Sequence, residues 1–371
     1  MDTFSTLGIT EHRIKALAQQ GIQAPAGIQA QTYPILSARQ DAWLSAPTGS
    51  GKTLAYLLPL LEQIDEGTTD LQVAVLVPTQ ELAVQINDCI RQLEQTADTA
   101  IRSQLLIGNA SSKRQKEKLK KKPHIVVGTC GRMLSLANER KLKLHLCNCV
   151  VIDEADTMLG EDSIEDVEAI IKMTPRDRQL VFASATEKGH AFHHAQSMGK
   201  DVQWLQGDAL KSVSTIEHSY IETRYHNKPK ALQQLLETIQ PERAIVFVHR
   251  NLTVEELGEE LTYRKFDLQV LHGNLSKFDR EKALNQFRRG KVKVLIASDV
   301  AAKGLDVKGV SHIINFDLPS SPDDYLHRAG RTGRMGATGH AISIVTEEEY
   351  KLIQRYEREL DIEIKPFEQC I

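Results

Sequence analysis

The residues best suited to chemistry near the start of the chain are glycines, hydroxyl side chains and one lysine. They lie between an apolar segment (42–46) and a helix-forming segment (54–64), in the run Ala46-Pro47-Thr48-Gly49-Ser50-Gly51-Lys52-Thr53. Gly49 and Gly51 allow successive backbone NH groups to face one point, where a helix N-terminus adds positive potential. Lys52 would reach the β- and γ-phosphates of a nucleotide, and Thr53 would bind the bridging magnesium ion. With Ala46 at the usual first glycine, this is a variant Walker A loop; a plain glycine-rich turn is the alternative.

A second reactive group is acidic and follows an apolar strand. Residues 150–152 run directly into Asp153-Glu154-Ala155-Asp156. The carboxyl end of a buried strand is the usual position of an active site in α/β proteins. Asp153 would hold magnesium through water, and Glu154 would orient and deprotonate a water for attack on the γ-phosphate. Acidic caps of a helix N-terminus are the alternative, but a phosphate loop about 100 residues earlier favours nucleotide hydrolysis.

A third group consists of arginines near the C-terminal end. Arg328, Arg331 and Arg334 recur at three-residue spacing within the segment 325–334. Side chains at this spacing can point into a single anionic cleft, where an arginine stabilises the charge that develops during phosphoryl transfer. Surface arginines in a glycine-rich turn are the alternative. That alternative does not explain why the arginines occur in the second half of the chain, which has no phosphate loop.

The segments that must position these residues alternate between strand and helix patterns. Short β-branched runs, apolar on both faces, indicate buried parallel strands covered by helices at 73–77, 124–127, 149–152, 180–183, 244–248, 269–271, 293–297, 312–316 and 341–345. Helical patterns include 228–239 and 254–261. The sequence therefore predicts two α/β domains with parallel sheets, at 1–205 and 216–371. A polar hinge at 206–215 would join them and let them close on a ligand.

Composition narrows the class of protein. The 371 residues suit two domains, and 41% apolar with 26% charged residues are typical of a globular protein. No apolar run spans a bilayer and the N-terminus lacks a signal-peptide pattern, so we expect a cytoplasmic protein without membrane contact. Five cysteines without a C-x-x-C pair indicate neither a disulfide framework nor a zinc site.

Charge points to local rather than global binding of nucleic acid. The net charge is −3, so a nucleic-acid partner must be held by local patches. One such patch is the lysine-rich run 113–122, for which a solvated helix face is the alternative.

Several of these motifs together resemble the DEAD-box RNA helicases, a superfamily 2 family whose name is spelled by residues 153–156. The resemblance runs from Phe4 to about Val345 and includes a Q motif within residues 2–30. It implies two tandem RecA-like domains, ATP and Mg²⁺ as cofactors, and a compact bacterial-type member with no C-terminal extension. It also implies that Gln29 hydrogen-bonds adenine and that Phe4 packs nearby.

The same resemblance assigns further roles along the chain. RNA backbone would be bound, without sequence specificity, by Pro78, Thr79, Gly108, Thr129, Arg132 and Ser298. Asp306 would contact the ATP ribose, and Arg331 and Arg334 would reach the γ-phosphate from the second domain. Coupling between the ligands would involve Asp156, Ser184, Thr186, His327 and Arg328.

The chain also departs from the family pattern. It has Gln80 for an arginine, Asn109 for a glycine, Cys130 for a proline, Lys277 for a glutamine and Lys303 for an arginine. Gln80 removes a bidentate phosphate contact, and Lys303 keeps the charge but loses the planar fork. We therefore expect intact ATP chemistry with altered RNA contacts, for which the lysine run 113–122 would compensate.

The function that the resemblance implies is RNA-stimulated ATP hydrolysis coupled to non-processive, local unwinding of short RNA duplexes. Ribosome assembly, with ribosomal particles as partners, and RNA turnover are compatible roles, and we expect a monomer. Two alternatives stay open: an ATP-gated RNA clamp or chaperone with little unwinding, and a DNA translocase built on the same paired domains.

Overall fold

The computed structural model divides the chain into two compact units, 1–210 and 211–371. It describes residues 3–46, 49–108, 111–185, 189–207, 216–302, 307, 309–333 and 338–368. The predicted hinge therefore lies outside the described residues except at its first two positions. Of these, Gln206 is the last residue of a strand. The domain boundaries stay a prediction.

The first unit is built on one parallel sheet of seven strands. The strands are β1 (Ala42–Ser45), β2 (Val73–Leu76), β3 (Ser103–Leu106), β4 (Ile125–Gly128), β5 (Cys149–Asp153), β6 (Gln179–Ser184) and β7 (Gln203–Gln206). Their order across the sheet is β3-β4-β2-β5-β6-β1-β7, and every pairing is parallel. The reactive segments after β1 and β5 therefore leave the sheet at the same edge, separated by β6.

Helices cover both faces of this sheet. They are α1 (Glu11–Gln19), α2 (Gly27–Ser37), α3 (Lys52–Glu62), α4 (Gln80–Ala97), α5 (Ser112–Leu119), α6 (Cys130–Asn138), α7 (Ala155–Met158), α8 (Ile164–Lys172) and α9 (His190–Met198). Alternate residues of β2 show the two layers, since Val73 and Val75 belong to one buried cluster, and Ala74 and Leu76 to the other. Strands buried on both faces are the reason that β-branched runs identified them in the sequence.

The second unit repeats this architecture. Its strands are β8 (Ile216–Glu222), β9 (Ala244–Val248), β10 (Leu268–Leu271), β11 (Val294–Ser298), β12 (His312–Asn315), β13 (Gly339–Val345) and β14 (Ile364–Pro366). The sheet is parallel, with the order β10-β11-β9-β12-β13-β8-β14. The helices are α10 (Lys228–Ile239), α11 (Asn251–Tyr263), α12 (Lys277–Arg288), α13 (Asp299–Ala302), α14 (Pro322–Ala329) and α15 (Tyr350–Leu360). The predicted fold class, two α/β units with parallel sheets, is confirmed.

The two sheets match position by position. Strands β1 and β8 both stand sixth in the order, and β5 and β12 both stand fourth. In the described part of either unit, no helix is both long enough and apolar enough to cross a membrane.

Candidate functional site

The phosphate loop connects β1 to α3. Its first residue, Ala46, donates its backbone NH to the carbonyl oxygen of Ser184 at 3.2 Å, which fixes the loop to the end of β6. Gly49 and Gly51 have φ of 86° and 90°, in the left-handed region that favours glycine. A Cβ on Gly51 would also lie 2.5 Å from the side-chain Nε2 of Gln29. Pro47 and Thr48, two predicted ATP-binding residues, lie outside the described residues.

Gln29 joins the Q motif to this loop. Its side chain is 5% exposed; Nε2 donates to the Gly51 carbonyl oxygen at 3.2 Å, and Oε1 accepts from the Ala26 NH at 3.0 Å. Phe4 is 2% exposed and belongs to the core of the first unit. The structure thus places Gln29 against the phosphate loop. The adenine contacts of Gln29 and Phe4 stay predictions.

Lys52 is the first residue of α3, directly after the left-handed Gly51. Its Nζ donates to the carbonyl oxygen of Ala46 at the start of the loop. Burial lowers the pKa of Lys52 to about 8, opposed by the carboxylates of Asp153, Asp156 and Glu154. The amine therefore lies in the field of the acidic motif as well as in the loop, which is the placement that a phosphate-binding lysine requires.

Asp153 is the last residue of β5 and is 5% exposed. One carboxylate oxygen accepts from the hydroxyl of Tyr56 at 2.8 Å, and the other accepts from the backbone NH of Glu154 at 2.9 Å. Burial raises the pKa of Asp153, while the Tyr56 hydroxyl and the Lys52 charge lower it. Glu154 has a left-handed backbone, with φ of 50°, at the turn from β5 into α7. The turn leaves the Glu154 side chain partly exposed, as a residue that orients water must be.

Tyr56 contacts the acidic motif, and the motifs alone did not reveal it. It lies four residues after Lys52 on α3, so both side chains are on one face of the helix. Its ring is completely buried, and burial, together with the contact with Asp153, raises the pKa of its hydroxyl well above the usual range. A tyrosine one turn beyond the loop lysine, within the otherwise apolar residues 54–61, is the signal that would have identified it.

Oxygen atoms around the loop suit a magnesium ion. Thr53 is partly exposed beside Lys52. Ser50 is 9% exposed, and its buried hydroxyl has no hydrogen-bond partner in the part of the chain that the structure describes. Among the same residues there is no group of three or more His, Cys, Asp or Glu side chains arranged around a metal. Mg²⁺ usually takes one or two protein ligands plus phosphates and water, so Thr53 and Asp153 fit it.

The predicted RNA-binding residues of the first unit follow three neighbouring strands. Pro78 and Thr79 follow β2, Gly108 follows β3, and Thr129 follows β4. The order β3-β4-β2 makes these ends adjacent. Thr79 caps α4, because its hydroxyl oxygen accepts from the Leu82 NH at 3.2 Å, and Gly108 is exposed. The structure brings these residues to one edge of the sheet, and their RNA contacts stay a prediction.

Arg132 is held in this region by a glutamine that the motifs did not reveal. Its Nε donates to the Oε1 of Gln115 on α5 at 3.1 Å, and the Gln115 Nε2 donates to the Ile107 carbonyl oxygen at 2.8 Å. Gln115 is 4% exposed, although the rest of α5 is strongly polar. A single buried glutamine in a basic helix is visible in the sequence only as a polar residue, so the pattern gave no signal for it.

Two departures from the family pattern, Gln80 and Cys130, fall in the same region. A Cβ on Gly108 would lie 3.8 Å from the Gln80 Nε2, so the amide of Gln80 stands beside the exposed glycine. Cys130 is 7% exposed, and burial raises the pKa of its thiol to about 12. Asn109 and Lys303 lie outside the described residues, as does the side chain of Lys277.

In the second unit, the predicted residue Arg328 binds residues that lie at or just after the ends of β11 and β12. Arg328 on α14 is 3% exposed and binds Asp299 through two hydrogen bonds of 2.7 and 2.6 Å. Its Nη1 donates to Asn315 Oδ1 at 2.9 Å and to the Asp317 carbonyl oxygen at 2.7 Å. These contacts fix Arg328 within the second unit, so a positioning role is the one that they support; its predicted coupling role stays a prediction.

The remaining predicted residues are placed as follows. Ser298 ends β11, is 2% exposed, and has a hydroxyl with no hydrogen-bond partner among the described residues. Ser184 ends β6 and is fully buried, and His327 and Arg331 are partly exposed. Thr186, Asp306 and Arg334 lie outside the described residues.

Comparison with known families and proteins agrees with this arrangement. The family model described as "DEAD/DEAH box helicase" matches residues 26–192, and "Helicase conserved C-terminal domain" matches 227–336. The DEAD-box ATP-dependent RNA helicase CshC of Bacillus cereus is 38% identical over 348 residues, which cover 94% of this chain and 89% of that protein. CshA of Bacillus subtilis is 37% identical, over 96% of this chain and 72% of that protein.

Solved structures give the same result. S. cerevisiae Dbp5 bound to RNA and ADP BeF3 matches with a TM-score of 0.90 at 28% identity, over 99% of this chain and 96% of that one. Mss116p bound to ssRNA and AMP-PNP matches with a TM-score of 0.87 at 22% identity, over 100% and 80%, which shows a shared fold. The sheet order, the loop and the acidic motif therefore have one common explanation: the chain belongs to the DEAD-box ATP-dependent RNA helicases.

Proposed function

We propose that the protein hydrolyses ATP with Mg²⁺ when RNA is bound, and that this cycle separates short RNA duplexes locally and non-processively. One observation supports the proposal above the others. Lys52 lies in the field of Asp153 and Glu154, at the same sheet edge as the glycine loop that Gln29 contacts. Loop, lysine and acidic pair are the parts that hydrolysis of a nucleoside triphosphate needs.

The roles of these side chains follow from their positions. Bound Mg²⁺ would neutralise phosphate charge, with Thr53 and Asp153 as its protein partners. Tyr56 and the Glu154 NH orient the Asp153 carboxylate, since each of its oxygens accepts one hydrogen bond. Glu154 would orient the attacking water and take its proton.

We propose that RNA binds at the sheet edge where β3, β4 and β2 end. Thr79 and Thr129 stand at or next to helix N-termini, where backbone NH groups bind phosphate. Arg132 adds a guanidinium that Gln115 holds in place. Contacts of this kind bind the RNA backbone without reading its bases, so we propose that the core binds RNA without sequence specificity.

Coupling between the two ligands is the remaining step. We propose that ATP and RNA each favour a closed state, in which Arg331 and Arg334 stabilise the transition state at the γ-phosphate. Asp156, Ser184, Thr186, His327 and Arg328 would link the two ligands. A strand bent by closure leaves an A-form duplex, so local melting follows, and phosphate release reopens the protein.

The Glu154→Gln variant provides a direct test. Because the amide cannot take a proton from water, this variant should hydrolyse ATP at least about 10²-fold more slowly than the wild type. It should still bind RNA tightly when ATP is present. Duplex release should then stall after one event. Rapid multiple turnover by Glu154→Gln would contradict the assignment of Glu154. ATP hydrolysis and duplex release are measured side by side, with RNA and with DNA as the polynucleotide; equal stimulation by DNA would favour a DNA translocase.

A second candidate is an ATP-gated RNA clamp or chaperone with little unwinding. The observation that favours it is Gln80 beside Gly108, where the family pattern places an arginine. An amide cannot make the charged, bidentate phosphate contact of a guanidinium. RNA-stimulated ATP hydrolysis without release of a short duplex would favour the clamp. Gln80→Arg should then increase duplex release.

The cellular setting is the last part of the proposal. We propose a monomer in the cytoplasm that acts on ribosomal particles during assembly or on RNA during turnover. Crosslinking of the Glu154→Gln variant to RNA in cells would identify the substrate. Recovery of ribosomal precursor RNA would support the first role, and recovery of messages alone would support the second.

A further inference from the structure

The lysine-rich segment is the largest charged feature that the core machinery leaves unused. Residues 111–122 form α5 and the turn after it, and residues 139–143 follow α6. Together the two segments contain ten basic and two acidic side chains, in a chain whose net charge is −3. Most of the basic side chains are exposed: Lys113, Arg114, Lys118, Lys120, Lys121, Lys122, Arg140, Lys141 and Lys143.

The fold joins these segments into a single surface, here called the basic surface. Lys116 on α5 and Glu139 after α6 form an ion pair with an N–O distance of 2.5 Å. Lys116 lowers the pKa of Glu139 most, and the charges of Arg132 and Lys141 contribute. The negative charge of Glu139 is therefore balanced by the basic side chains around it. The other carboxylate of the two segments is Glu117.

The basic surface begins at the predicted RNA path. Gln115, the buried residue of α5, binds both the Ile107 carbonyl next to Gly108 and the Arg132 guanidinium. Gln115 is the fourth of the eight residues of α5, a helix about 12 Å long at the helical rise per residue. Beyond it, the Lys122 carbonyl accepts from the Arg102 Nε at 3.2 Å and Nη2 at 3.1 Å, which adds another guanidinium to the far end.

From this geometry we propose that the basic surface binds the phosphate backbone of RNA that continues beyond the strand held by the core. The inference rests on the proposed RNA-dependent function and adds a second contact to it. Its occupant is RNA because the surface is cationic, mainly lysine, and continuous with Gly108 and Arg132. Flexible ammonium groups hold phosphates as point charges without fixed geometry, so this contact is sequence-independent. The basic surface would thus bind the RNA that flanks the segment bound by the helicase core.

The test uses three variants of the intact protein. Lys118→Gln/Lys120→Gln/Lys121→Gln removes three exposed charges from one segment, and Lys141→Gln/Lys143→Gln removes two from the other. The control, Arg288→Gln/Lys291→Gln/Lys293→Gln, removes three exposed charges from the second unit. They lie before the start of β11, at the edge of the second sheet where the strand begins and not where it ends. Thermal unfolding of each variant, compared with that of the wild type, would show that the variants fold.

Binding is measured with a non-hydrolysable ATP analogue and two RNAs: a short single strand, and the same strand continued into a hairpin stem. The wild type should bind the extended RNA at least about tenfold more tightly, and the triple variant should lose that gain. For the RNA with the stem, its slope of log affinity against log salt should become shallower by about 2.7, since each phosphate contact with a duplex contributes about 0.9. The slope of the double variant should become shallower by about 1.8 on the same basis, and that of the control should not change.

Two results with the variants would overturn the inference. In one, the triple variant keeps the wild-type gain and slope. In the other, the control loses as much as the triple variant, which would mean that only total charge matters. Failure of the proposed function looks different: the short strand would then not stimulate ATP hydrolysis by the wild type. Stimulation by the short strand with no gain from the stem leaves the proposed function intact and rejects the basic surface.

Discussion

Two lysines stand at equivalent points of the two units and have opposite surroundings. Lys52 begins the helix after β1 and Lys228 begins the helix after β8, the strands that stand sixth in their sheets. Lys52 is partly exposed, in the field of the carboxylates that follow β5. Lys228 is completely buried; it pairs with Glu349 at 2.7 Å and donates to the Phe316 carbonyl oxygen, directly after β12, at 3.1 Å.

The difference shows how one architecture produces a candidate phosphate site in one unit and a closed ion pair in the other. In the first unit, left-handed glycines open the strand-to-helix turn, so the lysine remains available to a ligand. In the second unit, Glu349 supplies the negative charge from within the unit. A lysine at this point of the fold is therefore a ligand-binding group only where the loop leaves room for phosphate.

Exchange of each lysine for methionine should separate these roles, and the larger effect is on activity. Lys52→Met keeps the aliphatic stem and removes the charge, so ATP hydrolysis should fall by about 10²-fold or more. The steady-state ATPase rate with saturating RNA measures this. Stability of the ligand-free protein should not fall, because the Lys52 charge is desolvated by burial. Near-normal hydrolysis by Lys52→Met would contradict the assignment of the loop.

Lys228→Met should instead affect folding. It removes the buried member of an ion pair whose glutamate is 29% exposed, and should lower the free energy of unfolding of the second unit by about 2 kcal/mol. Lys230→Met on the exposed face of the same helix is the matched control and should cost under about 0.5 kcal/mol. Denaturant unfolding measures both. Equal stability of the two variants would mean that the Lys228 contact is not structural.

A buried histidine makes the stability of the second unit depend on pH. Burial lowers the pKa of His218 to about 4, and its Nδ1 lies 2.8 Å from the Tyr325 hydroxyl. Unfolding restores a pKa near 6.5, so the unfolded state binds more protons between pH 6.5 and 4. The stabilisation by neutral His218 is therefore complete above pH 6.5 and is lost as the pH falls toward 4, by about 3 kcal/mol, since one pKa unit corresponds to about 1.4 kcal/mol. His218→Gln should flatten this part of the profile; an unchanged profile would contradict it.

The smallest effect concerns the orientation of Asp153. Tyr56→Phe removes one hydroxyl without changing the packing, and should raise the Mg²⁺ concentration needed for nucleotide binding about tenfold. Fluorescent nucleotide binding, titrated with Mg²⁺, measures this without turnover. Tyr33→Phe removes a hydroxyl elsewhere in the first unit and serves as the control. If both variants match the wild type, the Tyr56 hydrogen bond does not position Asp153.

The sequence predicted the strands whose side chains are buried on both faces. Residues 244–248 form a strand with those bounds, and the runs near 73, 149 and 180 form strands whose ends shift by one residue. The strands β3, β7, β8 and β14 were missed. Each lies at or near a sheet edge and carries exposed or half-buried polar residues, so no continuous apolar run marked it.

The site was predictable where a motif encodes a local turn, and not where distant segments meet. The glycine loop and the acidic motif are contiguous in sequence, so spacing alone located them. The hydrogen bonds from Tyr56 to Asp153 and from Arg132 to Gln115 join residues that are 97 and 17 positions apart. Only the packing of helices on the sheet brings such pairs together. The motif identified Arg328 in the sequence, but its ion pair with Asp299 could be identified only from the fold.

The central claim is that RNA binding completes the hydrolysis site by bringing Arg331 and Arg334 to the nucleotide. The most direct measurement is the ATPase rate of the wild type and of the Arg331→Ala/Arg334→Ala variant, each with and without saturating RNA. The account predicts stimulation of the wild type by RNA and a loss of about 10³-fold or more in the double variant, with ATP binding retained. Equal rates with and without RNA, or an active double variant, would contradict it.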